Sequence, residues 1–196
     1  MNSMFYGASS FNKLVKHFII HRITDFIIHH ITDFGFMFTY MASFDQALNV
    51  WNTKSANNMN SIFDQSRFHQ LLSNWIVDKV ISFAAMFKSS PFNYPLKGWS
   101  TATAMDMSWM FSNCPFNHPL DHFLVNKAQL FDAMFALLEF NSSLAGWDTW
   151  LAISMSLIDA TIKCPIHHSI GCSFNHVTIV IIIGCIPNPS STVSQG

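Results

Sequence analysis

Apolar and polar positions along this chain recur every 24 residues, and that long period governs every shorter pattern within it. The stretch Met86–Trp99 (MFKSSPFNYPLKGW) returns as Met110–Phe123 (MFSNCPFNHPLDHF) and as Met134–Trp147 (MFALLEFNSSLAGW), and it stands upstream as Ile62–Trp75 (IFDQSRFHQLLSNW). The leading Phe of each unit gives the column Phe44, Phe68, Phe92, Phe116 and Phe140. Four residues on stands Leu48, Leu72, Leu96, Leu120 or Leu144, and seven on stands Trp51, Trp75, Trp99, Phe123 or Trp147. Twelve on is small or β-branched (Ala56, Val80, Ala104, Ala128, Ala152), and fifteen on Met and Phe alternate (Met59, Phe83, Met107, Phe131, Met155). Each unit closes on an apolar pair: Ile62-Phe63, Met86-Phe87, Met110-Phe111 and Met134-Phe135. A fixed period of this size marks a stacked-repeat architecture, in which no unit can bury its apolar face alone.

Within one unit, Ala104, Met107, Met110, Phe111 and Cys114 follow i, i+3, i+4, i+7 spacing, which predicts a short helix with these residues on one face. Turn formers follow, and Phe-Asn-x-Pro-Leu-x-x-Trp then reads as a short extended rung, its Pro95 and Pro119 being poor in a central strand. The expected fold is therefore an α/β solenoid of roughly 24-residue units, each a short helix plus a short strand. The aromatic, Leu and Met columns form its structural spine rather than ligand-stacking platforms.

The period is disturbed near the N-terminus. Phe11 to Phe38 is 27 residues where Phe44 to Phe63 is 19, a surplus of eight. His21–Ile28 (HRITDFII) nearly duplicates His29–Phe36 (HHITDFGF), so an eight-residue tandem duplication within 21–36 accounts for the surplus. The repeat is expected to run over residues 1–163. Residues 164–186 are read as a C-terminal cap and 187–196 (PNPSSTVSQG) as a disordered tail.

Composition narrows the function. Half the residues are hydrophobic, with 20 Phe, 11 Met and 6 Trp, and only 11% are charged against roughly 25% in an ordinary soluble domain. A formal net charge of -1 supplies no basic field, so nucleic acid is not an expected partner. The longest apolar run, Val177–Ile186, falls short of the roughly 20 residues of a membrane-spanning helix. The opening MNSMFYGASS lacks the basic and apolar regions of a signal peptide.

Ten histidines invite a metal reading. His118 and His122 would stand ~13 Å apart on an extended rung, too far to share an ion. The remaining ligand set is Cys164, His167, His168 and Cys172, and it gives the alternative expectation of a metal- or Cys-dependent enzyme built on residues 160–186. No catalytic residue and no cofactor are expected from the repeat itself. Asp45, Asp64, Asp78, Asp106, Asp121 and Asp132 fall in different columns, so no carboxylate pair recurs. The single sequon, Asn141-Ser142-Ser143, is weak evidence for secretion.

The columns resemble the BspA-like leucine-rich repeats, in the branch found in mycoplasma surface lipoproteins and some protist proteins. The family pattern MF-x-x-A-x-x-FN-Q-x-L-x-x-W-x-T-S-x-V-x-x-M is met by Met4-Phe5, Ala8 and Phe11-Asn12, and by Trp99, Thr101, Met107 and Met110-Phe111. The resemblance covers residues 1–160, although the Gln of FNQ stands only at Gln46 and Gln70. It implies a leucine-rich-repeat stack, display at the cell surface or secretion, and a non-enzymatic role in binding a protein or glycan. Met1, Met4 and Phe5 occupy core positions, so self-association through that face is a further expectation, as is a fragmentary gene product without independent function.

Overall fold

The computed structural model describes residues 2–10, 31–144 and 146–156. They form a parallel stack of repeat units, but the units are not helix-plus-strand. Among the described residues there is no helix, and extended pairing is confined to isolated parallel bridges: Asp33 to Asn58, Asn58 to Ser82, Ser82 to Asp106, Asp106 to Leu130 and Leu130 to Ser154. The expected α/β solenoid is therefore wrong. These chains of turns stack on one another through backbone and side-chain hydrogen bonds.

The segment expected to be helical shows why. From Phe83 to Ser90 the N–H groups alternate in destination. Those of Phe83, Ala85, Phe87 and Ser89 donate to the carbonyls of Asp106, Ser108, Met110 and Ser112 in the next unit, at 2.9, 2.7, 2.9 and 2.9 Å. Those of Met86, Lys88 and Ser90 close turns on Phe83, Ala85 and Phe87, and Ala84 donates to the Ser82 hydroxyl. Every donor is satisfied, as buried backbone requires, yet half of them are satisfied by a neighbour rather than by the unit itself. A row of turns that advances four residues at a time buries residues in the same i, i+3, i+4, i+7 pattern as two helical turns. The face was legible from the spacing, whereas the backbone was not: over eight residues a period of four cannot be told from 3.6.

The turn row needs left-handed residues. Ser61, Gln65, Ala85, Ser89, Trp109, Asn113 and Ala133 have φ between 51° and 62°, a region that costs an L-residue roughly 1–2 kcal/mol. Each of these residues donates its own N–H across to the following unit, so the strained conformation is the one that aims the donor along the stack.

The segment expected as an extended rung is instead two tight turns. Trp75 donates its N–H to Leu72, Trp99 to Leu96 and Phe123 to Leu120; farther on, Val80 donates to Val77 and Ala104 to Thr101. Gly98 takes φ 87° inside the Leu-x-x-Trp turn, a conformation glycine adopts freely. The extended contact lies elsewhere, at the bridges around Ser82 and Asp106.

The core is a double column of Phe rings. Phe38, Phe63, Phe87 and Phe111 stack between units at 5.8 Å centroid separations, and Phe135 follows Phe111 at 6.1 Å. Phe44, Phe68, Phe92 and Phe116 form the second column at 6.1, 6.3 and 6.3 Å. The columns touch within each unit, Phe63 on Phe68 at 3.8 Å and Phe87 on Phe92 at 4.0 Å. At the N-terminal side Phe5 stacks on Phe38, and Ser3 donates to the Gly35 carbonyl. That offset of 32 residues exceeds by eight the 24 separating Phe36 from its acceptor Asn60. Most of the segment that holds the surplus, residues 11–30, lies outside the described residues, as do the proposed cap and tail.

Candidate interaction surface

The stacking places each spine residue. Phe44, Leu48, Trp51, Phe68, Leu72, Trp75, Phe92, Leu96, Trp99, Met107, Met110, Phe111, Phe116, Leu120, Phe123, Phe131, Met134, Phe135 and Phe140 are buried, and Leu144 and Trp147 are half-buried at the last described unit. The aromatic columns therefore point inward, and whatever the surface does must come from the residues between them.

Polar ladders fix that surface. The indole N–H groups of Trp75, Trp99 and Trp147 donate to the carbonyls of Leu48, Leu72 and Leu120 one unit back, at 2.9, 3.3 and 2.8 Å. Phe123 has no such donor, and there His122 Nε2 lies 3.0 Å from the corresponding Leu96 carbonyl. The imidazole replaces the missing indole, a role signalled in sequence only by a His preceding the one described unit with Phe in the Trp column. His118 Nε2 lies 3.1 Å from the Asn93 carbonyl. The two histidines thus serve separate backbone groups and do not converge. The expected outcome is a context effect: His122→Ala should cost about 0.5–1.5 kcal/mol, the net worth of one hydrogen bond, because the Leu96 carbonyl keeps the Trp99 N–H as its other partner, and much less in a Phe123→Trp background. A double-mutant cycle by denaturant melting measures it; equal costs in both backgrounds would remove the substitution argument.

The residue after each leading Phe forms another ladder. His69 donates its backbone N–H to the Asp45 carboxylate at 2.8 Å, Asn141 donates its own to Asn117 Oδ1 at 3.0 Å, and Asn117 Nδ2 donates to Asn141 Oδ1 at 2.7 Å. Buried Thr53 and Thr101 donate their hydroxyls to the Ile76 and Leu124 carbonyls of the next unit.

The carboxylates follow the same logic. Burial alone would raise the pKa of Asp33, but donation from Asn2, the Gly35 N–H and Asn58 outweighs it and the net direction is down. Asp132 is likewise lowered: its burial is outweighed by the Ser154 and Ser156 hydroxyls and the Ser156 N–H, all on one oxygen. Asp64 moves the other way because burial dominates, offset in part by Lys88 and Gln65. These are structural carboxylates on separate columns.

Cys114 is no nucleophile. Its thiol is buried, donates to the Phe92 carbonyl at 3.1 Å, and is pushed up to about 12 by burial. The ligand set Cys164, His167, His168 and Cys172 lies outside the described residues. Among the described residues, no group of three or more His, Cys, Asp or Glu could hold a metal ion.

Three outward features bear on docking, among other exposed apolar residues such as Val50, Ile76 and Leu124. Ile81 and Met105 are exposed in one column, each just before a bridged residue (Ser82 and Asp106), so they are neighbours across the ladder; Ile153 continues the column past Gln129. Trp109 is partly exposed with the Lys88 ammonium 4.7 Å from its ring centroid. An open groove lies between two later units, lined by Asn113, Pro115, Asn117, Leu137 and Glu139, with Cys114 and Leu138 at its floor. No described helix is long and apolar enough to cross a membrane.

Neither the curated proteins nor the solved structures contain a match to this chain. One family model does match, twice and with overlap, over residues 15–115 and 72–162, as a tandem repeat would make it. Those spans cover most of the chain, which therefore belongs to the family described as Mycoplasma protein of unknown function, DUF285.

Proposed function

We propose that the chain is a non-enzymatic binding scaffold whose stacked units present a protein-docking face. The observation that carries this reading is the exposed apolar pair Ile81 and Met105, aligned in successive units on a surface with few charges. Adjacent bridged residues lie about 4.8 Å apart, so Ile81 and Met105 stand side by side as one apolar patch, which Gln129 separates from Ile153. Exposed apolar patches of this kind mark interaction sites more often than scattered single residues do. The resemblance of the columns to BspA-like repeats, whose usual role is protein binding at a surface, supports the same reading. Self-association is one form that such docking can take.

The test compares wild type with Ile81→Asp/Met105→Asp in affinity capture and in sedimentation across concentration. Both changes sit at exposed positions, so the variant should melt like wild type. A partner, or a dimer, formed by wild type and lost in the variant supports the reading. Equal capture and equal sedimentation by both proteins would overturn it.

A further inference from the structure

The groove between the units of Phe116 and Phe140 has a chemistry of its own. It arises because the column that holds Ser66 and Ser90 in earlier units becomes Cys114 and then Leu138, while the next column runs Arg67, Pro91, Pro115 and Glu139. The groove measures about 460 Å³ and is lined by Asn113, Cys114, Pro115, Asn117 and Leu137–Glu139.

Several of its donors are engaged. The backbone N–H groups of Asn113 and Cys114 donate to Ala136 and Phe111, that of Asn117 to Asn93 Oδ1, and Pro115 has none. The Cys114 thiol donates to Phe92. The Asn117 amide is held on both sides: its Nδ2 donates to Asn141, and its Oδ1 accepts from Asn141 and Ser142. Asn113 gives one N–H of its Nδ2 to the Ser89 hydroxyl at 3.2 Å, and its Oδ1 accepts no hydrogen bond among the described residues. The lining thus offers acceptors, Asn113 Oδ1 and the exposed Glu139 carboxylate, beside the apolar flanks of Pro115 and Leu137, the latter 74% exposed.

We propose that this groove seats a lysine or arginine side chain of a partner protein. The apolar stem lies along Pro115 and Leu137, and the cationic head donates to Glu139 and Asn113. An anion would meet Glu139 without a counter-charge. An amphipathic cation satisfies both halves of the site. The identity of the occupant as a protein rests on the scaffold reading; the preference for a cation on an apolar stem does not.

The probes are N-acetyl-lysine N-methylamide and N-acetyl-arginine N-methylamide, with the neutral N-acetyl-norleucine N-methylamide as control. Each is titrated into the whole chain and followed by amide NMR signals. Both cations should shift the Asn113 side-chain amide and the Glu139 backbone signal, with norleucine weaker by about tenfold or more. Glu139→Gln, at an exposed position, should reduce cation binding about tenfold and leave the fold unchanged. A tighter arginine arm would indicate a two-pronged contact with the carboxylate; a tighter or equal lysine arm, a point charge. Norleucine shifts equal to the cations, cation binding unaltered in Glu139→Gln, or no shifts at these signals would overturn the proposal. Failure of the Ile81/Met105 patch to bind a partner would leave these shifts as they are, so the two readings fail separately.

Discussion

Phe87→Ala should destabilise the chain by about 3–5 kcal/mol, the range for removing a fully buried aromatic side chain. The ring is wholly buried and touches three others, Phe63 and Phe111 at 5.8 Å along its own column and Phe92 at 4.0 Å across the unit. A globular core can close partly over such a cavity from several directions. Here the neighbours above and below are held in register by the Phe63-to-Met86 and Phe87-to-Met110 hydrogen bonds, so relaxation is limited and the cost should fall toward the upper end. Denaturant melts of the variant decide it. A loss below about 1 kcal/mol, far short of that cavity cost, would mean that the column can slide to close the gap.

The second large effect is expected in the backbone. Ala85 has φ 52°, and its N–H donates to Ser108 at 2.7 Å. Ala85→Pro would force φ to about −65° and delete that donor, at about 3 kcal/mol or more. Ala85→Gly keeps the donor and relieves the left-handed strain. Because glycine also loses more entropy on ordering, the net should lie between zero and about 1 kcal/mol of stabilisation. The pair separates two pictures of the segment. A helix through residues 83–90 would lose stability on Ala85→Gly, whereas the turn row would not. Thermal melting of the two variants reads the difference directly, and clear destabilisation by glycine would count against the left-handed conformation.

What the sequence made legible was the register, not the conformation. Phe63, Phe87 and Phe111 could be aligned by eye at 24-residue intervals, and the structure stacks those rings. The helix expected around Met107–Cys114 failed because its apolar spacing is shared by a row of turns, and because the deciding information lies in the next unit. Trp109 donates to Asp132 and Phe111 to Met134, partners that no local window contains. The Phe-Asn-x-Pro-Leu-x-x-Trp segment failed for a related reason. Pro95 and Pro119 were read as marks of a short rung, while Leu96 and Trp99 close a turn around Gly98. The groove beside Glu139 was illegible as well, since it depends on which amides of Asn113 and Asn117 are already engaged. His122 was the reverse case: its partnership with Leu96 could have been inferred from Phe123 standing in the Trp column directly after a His.

The alternating donors of the turn row give the molecule an electrical direction. Within the turn row of the Phe68 unit, the N–H groups of Phe83, Ala85, Phe87 and Ser89 all point toward the C-terminal neighbour, whereas elsewhere in that unit those of His69, Asn74, Ile76 and Ile81 point back. The turn row of the Phe92 unit repeats this, with Met107, Trp109, Phe111 and Asn113 pointing forward, while Met105 and Asp106 ahead of it point back to Ile81. Peptide dipoles aligned head to tail add, so the forward-pointing groups of the turn row sum along that one face of the stack. Its positive pole faces the C-terminal side of the stack, the reverse of an α-helix, whose positive pole is at its N-terminus. At the two ends of the turn row itself, an anionic group is accordingly favoured on the C-terminal side and a cationic one on the N-terminal side, a local polarity set by the backbone in a chain that carries little formal charge.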